Sequence, residues 1–149
     1  MLVVERKELD AAMATANSSP TDVEAQIAAA YGNDRDGREE DAIKYYDAAW
    51  AIGIPSDARC RFLVGYGSTL RNVGRLKESI AIHRAAITEY PEFAAHSAFL
   101  ALALHAAGNH DEALAAALGA LVEAGAANLD GYDRALSEYR DELLLPRHK

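Results

Sequence analysis

The segment Cys60–Phe93 decides the fold of this chain. Between Leu63 and Pro91 it reads LVGYGSTLRNVGRLKESIAIHRAAITEYP. Apolar residues recur every three or four positions on both sides of Gly74, a spacing that predicts two amphipathic helices. Gly74 breaks the pattern between them, and Pro91 ends it. The segment is therefore expected to form a hairpin of two antiparallel helices.

The same hairpin pattern recurs before and after this segment. Gly37, Gly74 and Gly108 each mark the break inside a hairpin, and they lie 37 and 34 residues apart. A period of about 34 residues is typical of helix pairs that stack on one another. The longer interval has its extra residues in the loop 52–56. Repeats are therefore predicted at about residues 21–55, 60–93 and 94–124.

The first residues precede the repeats. Residues 1–18 are predicted to be an N-terminal arm, either a helix or disordered, because their weak helical pattern ends in the turn cluster Asn17–Pro20. Residues 19–149 are predicted to form a single domain. The first repeat helix is predicted to start at Ser19-Pro20 or at Thr21, which has the spacing of a capping box with Glu24.

A last helix is predicted at about residues 129–144, after Gly125. Asn128 or Asp130 is expected to cap its start. Its pattern corresponds to half of one repeat, and its acidic outer side suits a terminal helix that faces water. This helix is predicted to cap the C-terminal end of the repeats.

Composition and charge argue against several classes of protein. Aromatic residues make up 7% of the chain and alanine dominates its hydrophobic residues, which favours packed helices over strands. The net charge of −8 argues against nucleic acid as a partner, because binding to phosphates needs a basic face. The single cysteine, Cys60, cannot form an internal disulfide and fits the cytoplasm. Neither Met1–Val4 nor Ala98–Leu104 is long enough for a signal or membrane segment.

The central hairpin resembles the tetratricopeptide repeat, whose pattern is W-x2-L-G-x2-Y, then A-x3-F, then P. The corresponding positions hold Leu63, Tyr66, Gly67, Leu70, Ser79, His83 and Pro91. The resemblance covers about residues 21–144, and the run Gly67–Arg75 is similar to small stand-alone bacterial proteins with three such repeats, a group associated with dimers. It implies an all-α fold, a right-handed superhelix of three antiparallel helical hairpins with a C-terminal capping helix.

The resemblance also implies a binding site. In this family the inner side of each repeat's first helix lines a concave groove for peptides or partner helices. By that layout the candidate binding residues are Tyr31, Arg61, Val64, Ser68, Arg71, Ala98, Phe99, Leu102 and His105. Arg61 and Arg71 are expected either to hold an acidic partner segment or to pair with acids such as Asp57 or Glu78. Phe99 and Leu102 are expected to be either an apolar contact patch or core beneath the terminal helix.

Other kinds of site lack their motifs. The positions of the family's carboxylate clamp hold Ile27, Tyr31, Gly65, Ala95 and Phe99, which cannot grip a C-terminal carboxylate. The histidines form no i, i+4 pair and lie near no cysteine cluster, so neither a metal nor another cofactor is expected. They are His83, His96, His105, His110 and His148. A phosphate loop and a nucleophile motif are also missing, so no enzymatic activity is expected.

We therefore expect a cytoplasmic, non-catalytic scaffold for protein–protein interaction. It is expected to bind a peptide or partner protein in its groove and to form a homodimer. One alternative is a secretion-type chaperone of the same family, which would need a groove for apolar anchors and a dimerising N-terminal arm. A second is an enzyme with an unrecognised site, which would need converging polar groups in a closed pocket.

Overall fold

The structure, a computed structural model, describes residues 2–125 and 129–146. Within these residues the chain forms eight α-helices and no strand, which confirms the all-α prediction. In chain order the helices are α1 Leu2–Ser18, α2 Val23–Arg35, α3 Glu39–Ile52, α4 Ser56–Asn72, α5 Leu76–Glu89, α6 Ala95–Ala106, α7 His110–Gly125 and α8 Asp133–Leu143. The chain divides between Gly74 and Arg75 into two compact units, the first with α1–α4 and the second with α5–α8.

The turns inside the first and third hairpins are closed in the same way. Gly37 and Gly108 have φ angles of 70° and 83°, in the left-handed region that glycine adopts without steric cost. The N–H of Arg38 donates to the carbonyl oxygen of Asn33, and Asn109 donates in the same way to Leu104, each at 2.9 Å. This pattern is a Schellman cap. The regular glycine spacing in the sequence therefore marks helix ends.

Three helix starts differ from the positions that the sequence suggests. Asp22, not Thr21, caps α2, because its Oδ1 atom accepts a hydrogen bond of 3.0 Å from the N–H of Ala25. Helix α4 begins directly after Pro55 and thus includes residues before Cys60. Helix α8 begins only after Tyr132.

The late start of α8 has a backbone cause. Asp130 and Gly131 have φ angles of 47° and 82°, which do not continue into a right-handed helix. Asp130 therefore does not cap this helix, contrary to one of the two expectations. Asn128, the other candidate, lies outside the described residues.

In the first unit, α1 packs along α2. Leu9 is 3% exposed, and the side-chain amide of Gln26 donates to the carbonyl oxygen of Ala16 at 2.9 Å. Gly32 permits this close approach, because a Cβ atom there would lie 2.5 Å from Cδ1 of Leu9. Leu9 and Ala16 of α1 are therefore buried against their own chain.

In the second unit, apolar residues of α5, α6 and α7 form the core. Leu100, Leu104 and Ala113 are buried together, and Ile80 and Ile87 pack against them. Gly119 faces the aliphatic part of Arg140, where α8 crosses α7. The core of this unit thus consists of small and aliphatic side chains.

Two histidines are also buried in the second unit. Both His83 and His96 are inaccessible to solvent, and His83 occupies the Phe position of the pattern that the central hairpin resembles. Burial lowers the pKa of His96, although the nearby Glu89 partly opposes this effect. The imidazole of His96 is therefore neutral at physiological pH.

The contact between Leu9 and Gly32 can be tested with a double-mutant cycle. Leu9→Ala is expected to lower the free energy of unfolding by about 2–4 kcal/mol. Gly32→Ala in the wild-type background crowds Leu9 and destabilises the protein. In the Leu9→Ala background the same methyl group has room, and its helix propensity stabilises by about 1 kcal/mol.

Denaturant unfolding of the single and double variants measures this coupling. The exposed Lys7→Ala serves as a control on the same helix and should change little. Equal effects of Gly32→Ala in both backgrounds would show that the two residues do not compete for the same space.

Candidate functional site

The first helices of two successive repeats form a pocket in the first unit. Helix α2 contributes Glu24, Ile27, Ala28 and Tyr31, which follow the i, i+3, i+4, i+7 spacing of one helix face. The beginning of α4 contributes the other side. The pocket has a volume of about 290 Å³ and is completed by Pro55, Asp57 and Ala58. We call it the α2–α4 pocket.

Tyr31 connects this pocket to its surroundings. Its side chain is 38% exposed, and its ring centroid lies 6.0 Å from that of Tyr46. Burial raises the pKa of Tyr31, and the guanidinium group of Arg61 partly lowers it. Arg61 therefore acts electrostatically on the phenol that lines the pocket.

An aromatic cluster beneath Tyr31 holds the three helices together. Tyr46 on α3 is fully buried, and its ring centroid lies 5.4 Å from Phe62 and 5.8 Å from Tyr66 on α4. Trp50 packs against the same two rings of α4. Aromatic pairs at these distances stabilise a fold beyond their buried area. The cluster thereby fixes the position of α4 relative to α2.

Hydrogen bonds orient the buried phenol of this cluster. The hydroxyl of Tyr46 donates to Oδ2 of Asp34 at 3.1 Å. Burial raises the pKa of Asp34, and the hydroxyls of Tyr46 and Thr69 partly lower it. The hydroxyl of Tyr46 lies next to Gly65. A Cβ atom at position 65 would clash with this hydroxyl, so any larger residue is excluded there. Asp34, near the end of α2, thus orients the side chain of Tyr46.

The two candidate arginines differ in their surroundings. Arg61 is exposed and forms no ion pair with another described residue, including Asp57 one turn earlier. Arg71 donates to the side-chain oxygen of Asn72, at 2.8 Å from its terminal nitrogen. Glu78 accepts two hydrogen bonds from Arg75, at 2.6 and 2.8 Å. Arg61 is thus available to a partner, whereas Arg71 is held by its neighbour.

The remaining candidates divide between the units. Val64 and Ser68 are half-buried on α4 in the first unit, and the others lie on α6 in the second. Leu102 is 47% exposed, which favours the contact patch over the core for this residue. Phe99 is half-buried and stacks on His83, with ring centroids 6.0 Å apart. Ala98 and His105 are exposed on the same face of α6 as Leu102.

A family model described as tetratrico peptide repeat matches residues 23–143. The chain belongs to the tetratricopeptide-repeat family. This match confirms the resemblance seen in the sequence. No curated protein matches the chain.

Proteins of this family are generally scaffolds for protein–protein interaction. No helix in the described part of the chain is long and apolar enough to cross a membrane.

The aromatic cluster follows the tetratricopeptide-repeat pattern. Ala42 and Tyr46 occupy the A-x3-F positions of the first repeat, and both are fully buried. Leu63 and Tyr66 occupy the Trp and Leu positions of the second repeat and are also buried. The residues at the positions of the family pattern therefore form the packed core that supports the α2–α4 pocket.

The family pattern does not predict the acidic part of the pocket. Asp57 lines it because α4 begins at Ser56, before the predicted start of this repeat. The signal in the sequence was Asp57 itself, because an acidic residue is favoured in the first turn of a helix. An expectation based on the repeat pattern alone therefore missed half of the pocket.

The structure also brings two histidines together that the sequence keeps apart. Nδ1 of His105 lies 3.1 Å from Nδ1 of His110, across the turn of the third repeat. They are five residues apart and lie on different helices, so helical spacing could not reveal the contact. The described residues contain no group of three or more potential metal ligands. His148 lies outside these residues.

A second apolar pocket lies within the second unit. It has a volume of about 260 Å³ and is lined by residues of α5 to α8, among them Ile87, Leu100 and Leu144. Arg84 and Glu112, which also line it, form an ion pair of 2.8 Å. This ion pair gives both Arg84 and Glu112 a partner within the pocket lining.

The role of Asp34 can be tested by two substitutions. Asp34→Asn keeps an acceptor for Tyr46, whereas Asp34→Ala leaves a buried hydroxyl without one. The alanine variant is expected to lose about 1–3 kcal/mol of unfolding free energy relative to the asparagine variant. Thermal or denaturant unfolding at neutral pH measures the difference. Equal stability would contradict the proposed orienting role.

The difference in stability between the wild type and Asp34→Asn is also expected to depend on pH. The folded-state pKa of Asp34 lies above its ordinary value of 3.8, so ionisation of this carboxyl destabilises the folded state. This cost is fully present above the raised pKa and disappears as the pH falls through it towards 3.8. Stability of the wild type relative to Asp34→Asn should therefore rise on acidification. A constant difference would contradict the raised pKa.

Proposed function

We propose that this protein is a non-catalytic scaffold that binds an extended peptide segment of a partner protein. The binding site is the α2–α4 pocket together with Tyr31 and Arg61. The observation that carries the proposal is the largely apolar pocket beside a partly exposed tyrosine and an arginine that forms no ion pair with another described residue. Tyrosine and arginine are among the residues that contribute most to protein interfaces. A cytoplasmic location fits the acidic chain and its one cysteine.

The size and lining of the pocket favour a peptide over a small substrate. At about 290 Å³ it lies at the lower end of the range for small-molecule sites. Ile27, Ala28, Pro55 and Ala58 make most of its wall apolar. Such a pocket accepts one side chain of a longer segment. Two observations support a non-catalytic role: the mostly apolar lining of the pocket and the membership of the chain in the tetratricopeptide-repeat family.

Arg61 supplies a charged contact next to the pocket. A guanidinium group binds a carboxylate through two parallel hydrogen bonds, and it keeps its charge at any physiological pH. Because Arg61 has no acidic partner among the described residues, binding need not first break an ion pair. An acidic residue of the peptide is therefore the expected contact. Arg71 contributes less because Asn72 already accepts from it.

The groove residues can be tested by affinity capture from the native cell. Tyr31→Ala and Arg61→Glu are expected to lose the partner that wild type retains. Tyr132→Ala and Lys77→Glu are matched controls, since both residues are exposed and lie far along the chain from the pocket. Capture of the same partner by all five proteins would contradict the proposal. Where the captured partner depends on Tyr31 and Arg61, a photo-crosslinking residue in place of the exposed Ala28 identifies the segment that binds.

Homodimer formation is a second part of the proposal. Apolar side chains of α7, of α8 and of the residue that follows α8 support it, because Leu121, Tyr139 and Leu144 are each about half exposed or more. Light scattering is expected to give the mass of a dimer, and Tyr139→Glu should lower the dimer fraction. A wild-type protein that stays monomeric at every concentration would contradict it.

The secretion-type chaperone has less support. That alternative uses the N-terminal arm to form dimers. Here the apolar residues Leu9 and Ala16 of α1 are buried against their own chain. The peptide scaffold is therefore the function that we propose.

A further inference from the structure

The α2–α4 pocket has an acidic side that the proposed function does not use. Glu24 lies in the first turn of α2, and Asp57 lies in the first turn of α4. Both line the pocket, and neither forms an ion pair with another described residue. The remaining wall is apolar and includes the ring of Tyr31.

The local charge of this side remains negative when the helix ends are counted. Each helix N-terminus acts as roughly half a positive charge. The two ends therefore offset about one of the two carboxylates. Asp22, the N-cap of α2, adds a third carboxylate close to Glu24. A cationic side chain is favoured here, and its aliphatic stem can lie on Ile27 and Tyr31.

The acidic side and Arg61 are separated by a distance that an extended peptide can match. Asp57 and Arg61 are four residues apart on α4, which corresponds to about 6 Å along the helix axis. In an extended chain, side chains two positions apart point the same way and lie about 6.6 Å apart. One peptide can thus present a basic side chain to the pocket and an acidic one to Arg61.

We propose that the occupant of this site is an extended peptide with a basic and an acidic residue two positions apart. The basic side chain enters the α2–α4 pocket between Glu24 and Asp57, and the acidic side chain pairs with Arg61. This inference rests on the proposed function and defines the chemistry of its partner. A site of this kind binds charged side chains within a peptide, whereas the carboxylate clamp of the family binds a C-terminal carboxylate.

Four pools of short synthetic peptides test the inference. Acetylated and amidated ends remove the terminal charges. Two positions, separated by one residue, hold Lys and Glu, Ala and Glu, Lys and Ala, or Glu and Glu, and the other positions are mixtures of Leu, Tyr, Ser and Ala. Wild type should retain the Lys–Glu pool about three to five times better than either pool with a single charge.

Charge-neutral variants of the same shape locate the preference. Glu24→Gln with Asp57→Asn should abolish the preference for Lys and keep that for Glu, and Arg61→Gln should do the reverse. Asp10→Asn with Glu40→Gln removes the same two charges at exposed sites elsewhere and should change neither preference. Circular dichroism of each variant shows that it is folded.

Three outcomes would overturn the inference while leaving the proposed function intact. One is equal retention of all four pools that is lost in Tyr31→Ala, and a second is best retention of the Glu–Glu pool. Retention of no pool, with a captured cellular partner that still depends on Tyr31, also overturns it. Retention of every pool by Tyr31→Ala would contradict both the inference and the proposed function.

Discussion

The first unit depends on the packing and the hydrogen bond of one buried side chain, that of Tyr46. Its ring contacts aromatic residues from both neighbouring helices, and its hydroxyl reaches Asp34 at the end of α2. A phenol can do both because it combines a large apolar surface with one polar end. The A-x3-F position of the repeat would ordinarily hold a purely apolar ring. Here the added hydroxyl fixes the angle of the ring and requires Gly65 to stay small.

Much of the fold was predictable because the signals were local. Gly37 and Gly108 mark helix ends since their left-handed backbone closes a cap within six residues. The helix starts were harder, because Thr21 and Asp22 both suit an N-cap and only the backbone path decides between them. The start of α8 could not be inferred because Asp130 adopts a conformation that sequence rarely reveals.

The candidate site was predictable only in part. The repeat pattern placed Tyr31 and Arg61 on the helices that form the pocket, because inward positions follow from helical spacing. It could not show that Arg61 has no ion-pair partner in the part of the chain that the structure describes, while Arg71 is held by Asn72, since surface pairing depends on the rotamers of long side chains. Nor could it show the contact between His105 and His110, which depends on how two helices meet at a turn.

The packing of α1 against α2 bears on the length of the repeat array. Stacked helix pairs offer an open face at each end, to which a further repeat, or the end of another molecule, can add. Helix α1 occupies the N-terminal face with Leu9 and presents the charged side chains of Arg6, Lys7 and Glu8 to water. Loss of this helix would therefore expose an adhesive apolar surface and favour end-to-end filaments.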